Sequence, residues 1–319
     1  MLFTPEVLTI LVLDTLFILF AILAFWQSLK IFKNWDINAT TQEQYTLEKL
    51  SYLSTTIIKF IFMVKVPLFL FFIFTLDKIS DVLSGAMCGA GVVDATVYGN
   101  YLFVFKILNL YLFAYWLALN NEDIKHELQP YTKMKFGLFL FIFFSLLMEV
   151  ILEFSMFFAI DIDKVVSCCG TIYSASSSSY FSHILSLEPS LLLSLFYINF
   201  FLIVFFAYIK QKTLFALTNI VFVIVSIVTL ITFFGTYIYE LPSHHCPFCL
   251  LQAEYYYIGY LLYSLLFMGT FYAINVGFIK MDMLSLEKNY KKSLLFTTLY
   301  LLLISAYPIF YYLKNGVLL

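Results

Sequence analysis

Arginine is absent from this chain: all 18 basic side chains are lysines, set against 20 acidic ones. Charge of either sign is scarce, at 12% of the 319 residues, while 62% are hydrophobic. A mean hydropathy of +0.93 excludes a soluble globular protein. No nucleic-acid partner is expected from so little cationic surface. Cysteine and histidine are missing from every long apolar run, which confines thiol or metal chemistry to the connections between runs. No lysine precedes Lys30 and Glu6 stands near the start, so the first run lacks the charged flank of a cleaved signal peptide and is expected to be retained.

What the chain does contain is long apolar runs. A helix needs about 20 such residues to cross roughly 30 Å of hydrocarbon. Eight runs qualify, near 7–29, 51–76, 100–119, 136–160, 190–209, 213–236, 255–279 and 293–313. The expected fold class is therefore all-α, a polytopic membrane helix bundle with residues 1–319 as one integral membrane domain and the lipid bilayer as its solvent. Twelve lysines fall in alternate connections: Lys30, Lys33 and Lys49; Lys125, Lys133 and Lys135; Lys210 and Lys212; Lys280, Lys288, Lys291 and Lys292. Only Lys78, Lys164 and Lys314 fall in the other set. The positive-inside rule places the first set in the cytoplasm and both termini outside, in a cell membrane of the bacterial inner-membrane kind. Tyrosines such as Tyr98, Tyr101, Tyr237, Tyr239, Tyr256 and Tyr312 then gather at outer helix ends, as an interfacial aromatic belt does.

On that topology all five cysteines lie in the outer loops 77–99, 161–189 and 237–254. The densest motif is His244-His245-Cys246-Pro247-Phe248-Cys249. Proline is favoured at the first position of a helix, so Pro247 is expected to start the seventh span, with Cys246 as its cap and Cys249 one turn in. Free backbone donors there would favour the Cys246 thiolate. Two chemistries fit the residue types. Cys246 and Cys249 can form a redox disulfide exchanging with Cys88 or with Cys168 and Cys169. Alternatively, His244, His245, Cys246 and Cys249 can bind copper or zinc. A plain structural disulfide is the third possibility. Adjacent cysteines such as Cys168 and Cys169 pair poorly with each other, so either each is expected to have a different partner or both to face a metal.

With its CPFC at the mouth of a span, the chain locally resembles the disulfide-forming membrane oxidoreductases of the DsbB and vitamin K epoxide reductase types. That resemblance implies a quinone beside Cys246 and Cys249, a relay through Cys88 with Cys168 or Cys169, and an extracytoplasmic thiol protein as partner. It covers about a dozen residues, and eight spans and five cysteines depart from the family pattern. The expected function is thus thiol–disulfide oxidoreduction, with a copper- or zinc-handling membrane protein as the alternative.

Six charges remain inside spans: Asp14, Lys59, Lys65, Lys106, Glu149 and Glu153. A charge at the bilayer centre costs about 2.5–3.5 kcal/mol even on lenient scales, so such groups turn inward and pair. Lys59 and Lys106 can reach toward the two boundaries by snorkelling. Lys65 is too deep for that and is expected to face Glu149 or Glu153, which share one helix face.

Overall fold

A segment crossing hydrocarbon must satisfy every backbone N–H and C=O within itself, which leaves these apolar runs little choice but helix. A computed structural model of the chain describes residues 4–37, 39–161, 165–166 and 188–319, and among the described residues there is no strand. In chain order come α1 (Pro5–Asn34), α2 (Gln42–Ser80), the short α3 (Gly89–Asp94), α4 (Val97–Asp123), α5 (Thr132–Ala159), α6 (Pro189–Tyr208), α7 (Lys212–Thr229), α8 (Gly235–Tyr239), α9 (Ile258–Phe278) and α10 (Met283–Asn315). A π turn at Leu230–Phe234 joins α7 to α8, so Lys212–Tyr239 runs as one spanning element. Among the described residues, eight elements are long and apolar enough to cross a membrane, as the sequence leads one to expect.

Several helices outrun their apolar stretches. In α2 the Thr41 side chain accepts a hydrogen bond from the Gln44 backbone N–H at 3.3 Å, and in α10 Asp282 accepts from Ser285 at 3.3 Å. These caps satisfy free donors at polar helix starts that lie well before the apolar runs begin.

The start of the seventh span differs from expectation. It lies at Ile258, eleven residues beyond Pro247. The intervening chain makes two 3₁₀ turns, Cys249–Leu251 and Ala253–Tyr255. Tyr256 and Tyr257 then adopt left-handed conformations, with φ of 53° and 55°, which no right-handed helix can propagate through. Proline opens tight turns as readily as helices. Here it precedes only short turns, the first closed by Leu251 N–H donating to Phe248 O at 2.9 Å. Cys246 is therefore not the cap of a spanning helix.

The chain divides into two compact units. The first, Met1–Ser84 with Val92–Lys164, holds α1, α2, α4 and α5. In it α1 packs on α2 and α5, and α4 packs on the same two helices, making a ring of four. Its centre is aromatic: Phe62 stacks on Phe113 at 4.5 Å between centroids and meets Trp116 edge-on. The second unit, Gly85–Gly91 with Val165–Leu319, holds α6 to α10. There α9 lies between α7 and α10, and α6 packs on α7. Phe196, Phe222, Phe234 and Tyr300 meet in its interior. At Gly269 the α9 backbone comes so close to α10 that an added Cβ would lie 2.6 Å from Thr297 Oγ1, the close small-residue contact typical of membrane helices.

Candidate functional site

Within the second unit, the Gly85–Gly91 segment brings Cys88 to the 3₁₀ turn that carries Cys249. The Sγ atoms of Cys88 and Cys246 are 3.5 Å apart, and the thiols of Cys88, Cys246 and Cys249 all lie within 4.8 Å of one another. All three are buried, with Cys88 at 0% exposure, and no disulfide joins them to one another. Residues separated by 158 positions thus meet as one thiol group.

The backbone around the thiols is pinned from several sides. The Tyr239 hydroxyl donates to the Cys246 carbonyl. Tyr263, on α9, donates to the next carbonyl, that of Pro247, at 2.7 Å. Gln252 Nε2 donates to Met87 O at 3.0 Å, tying the residue before Cys88 to the far side of the turn. At Gly259 only a hydrogen fits, because a Cβ would come within 2.9 Å of the Leu250 backbone. Tyr239 was expected in the interfacial belt; it is buried instead, as is Tyr237, while Tyr256 is exposed as a belt residue is. A tyrosine whose hydroxyl finds a carbonyl inside the protein has no need of the interface.

The histidines take supporting positions. His245 Nδ1 lies 2.9 Å from the Ile231 carbonyl, within the π turn of the preceding span. Widened turns of this kind frequently mark functional sites, and this one offers a carbonyl to a side chain outside the helix. The His244 ring meets the Tyr239 ring edge-on, with centroids 4.4 Å apart. The close group contains three thiols and neither histidine. Cys168 and Cys169 lie outside the described residues. Comparison with known protein families, with curated proteins and with solved structures gives no match for this chain. Function must therefore be argued from the site itself.

The first unit contains a second polar centre. Lys65 Nζ sits 2.8 Å from Asp14 Oδ1 and 3.1 Å from Glu149 Oε1. Lys106 Nζ sits 3.1 Å from the same Glu149 oxygen and 2.9 Å from Glu153 Oε2. Lys65 thus faces Glu149, as its depth requires. Lys106 does not snorkel: it is buried, with its ammonium 4.2 Å from the centre of the Phe72 ring. Two carboxylates within reach outweigh a boundary reached only by a stretched side chain. Asn109 Nδ2 donates to Glu149 Oε2 at 2.5 Å, and Ser145 Oγ donates to Asn109 Oδ1 at 2.6 Å. Sequence reading passed over both. Their spacing held the signal, since Asn109 follows Lys106 by three residues and Ser145 precedes Glu149 by four, each on one helix face. A further network at the α4–α5 connection also went unseen: Lys135, counted among the cytoplasmic lysines, is buried 2.8 Å from Asp123 Oδ2.

Proposed function

We propose that this protein is a membrane thiol–disulfide oxidoreductase that passes electrons from extracytoplasmic thiols through Cys246 and Cys249 to a quinone. The observation that carries this reading is the 3.5 Å separation of the Cys88 and Cys246 sulfurs, with Cys249 alongside. A disulfide between Cys246 and Cys249 would leave Cys88 against the sulfur it must attack. Its thiolate would bond to Cys246, break the Cys246–Cys249 bond and release Cys249, with no net oxidation. An external dithiol would then reduce the Cys88–Cys246 disulfide in two exchange steps and leave as a disulfide. Cys246 and Cys249 would next give two electrons and two protons to the quinone, forming their S–S bond and a quinol.

Burial supports the same choice. Thiols and disulfides are neutral, so a redox trio rests without charge in an apolar setting, whereas three thiolates around one ion bring a net negative charge into it. One observation favours the alternative, a copper or zinc site: the three sulfurs fall within 4.8 Å, as thiolates about 2.3 Å from a shared ion do.

The test uses the full protein, purified anaerobically, reduced and placed in lipid with a soluble quinone. The expected result is one disulfide among Cys88, Cys246 and Cys249 for each quinol formed, with quinol formation lost in Cys246→Ser. Stoichiometric copper or zinc that disappears in Cys246→Ser, without quinol formation in the parent protein, would assign the site to metal instead.

A further inference from the structure

The polar centre of the first unit carries a charge that the thiol reading does not use. Three buried carboxyl groups, Asp14, Glu149 and Glu153, face two buried ammonium groups, Lys65 and Lys106. Full ionisation would leave one uncompensated negative charge among α1, α2, α4 and α5, at a cost the surrounding apolar core cannot screen. No other charged group among the described residues joins this contact network from any of the four helices.

The oxygens show where the imbalance sits. Both Glu149 oxygens are taken, one by Lys65 and Lys106 and the other by Asn109. Asp14 Oδ2 and Glu153 Oε1, on residues with 0% exposure, have no hydrogen-bond donor. One carboxyl oxygen each from Asp14, Glu149 and Glu153 lies within 4.8 Å of the others, so the two unsatisfied groups are neighbours. Ionised carboxylates only accept, so two of them cannot satisfy one another. We propose that Asp14 and Glu153 hold one exchangeable proton between them, forming a proton-binding site within the spanning helices. The bound proton turns one carboxylate into a carboxylic acid, which donates to the other and cancels the surplus charge.

A metal cation fits this place poorly. The Lys65 ammonium already sits on the Asp14 and Glu149 oxygens that such an ion would need, and Lys106 sits on Glu153. A small cavity adjoins the site. Lys65, Lys106 and Glu149 line a small cavity between Phe69 and Phe113, and Lys106 reaches from that cavity to Glu153.

Infrared spectroscopy of the full-length protein in lipid tests this without reference to the thiols. At neutral pH the wild type should show a protonated-carboxyl C=O band that shifts in D₂O and disappears on raising the pH. Glu153→Gln and Asp14→Asn should each abolish the band. Both carry an amide donor where the proton stood, so they should fold, and they should resist alkaline loss of thermal stability better than wild type. Should they fail to fold, the wild-type band and its exchange still decide the matter. A spectrum of ionised carboxylates alone at neutral pH, a band that persists in both variants, or alkaline stability restored by sodium rather than by protons would overturn the proposal.

Discussion

Lys65 shows how little freedom a single buried charge has. Its side chain is almost fully enclosed, and its ammonium depends on Asp14 and Glu149 for the interactions that water would otherwise supply. Lys65→Met should therefore destabilise the protein by about 3–5 kcal/mol, the usual cost of leaving buried partners unpaired. Thermal unfolding in detergent would register this, and Lys65→Met combined with Glu149→Gln should recover part of the loss, because the two positions are directly coupled. Tyr239 acts more gently. Removing its hydroxyl as Tyr239→Phe takes away a single bond to the Cys246 carbonyl, worth about 1 kcal/mol. The expected outcome is a folded protein with a lower yield of Cys88–Cys246 cross-link on mild oxidation, measured by mass spectrometry of alkylated peptides.

The elements that matter most to the thiol group are its connections. The turn Cys249–Leu251 lies against the first residues of α9, and Gly259 is the point of contact. Gly259→Ala sets a Cβ against backbone atoms of Leu250, which cannot rotate away as a side chain could. The turn must move, so Cys249 should leave the thiol group while α9 still spans. Oxidation of Gly259→Ala should thus give less disulfide involving Cys249 at nearly unchanged helix content, the first read by peptide mapping and the second by circular dichroism. The π turn provides a second brace, through Ile231 and His245, on a helix whose ridge would otherwise present no free carbonyl at that level.

For the whole molecule, lysine placement makes a prediction about sidedness. The asymmetry predicts that the connection bearing Tyr256 lies outside and that bearing Glu127 inside. Both residues are exposed. In a cysteine-free background, Tyr256→Cys should react with a membrane-impermeant reagent in intact cells, and Glu127→Cys only after permeabilisation. The reverse pattern would invert the topology and remove the case for extracytoplasmic thiols.

Much of this was legible from residue order alone. Each apolar run must be helical because its own backbone has no other partner in lipid, and that argument needs no tertiary contact. The same holds for the inward turn of Lys65, which follows from its depth. Tertiary packing decided the rest. Pro247 carries the same local signal whether one turn or a full helix follows it, and only the left-handed Tyr256 and Tyr257 settle which. Lys106 had two ways to satisfy its charge, and the proximity of Glu149 and Glu153 on α5 decided between them. The meeting of Cys88 with Cys246 joins residues far apart in the chain, and no local propensity encodes such a contact.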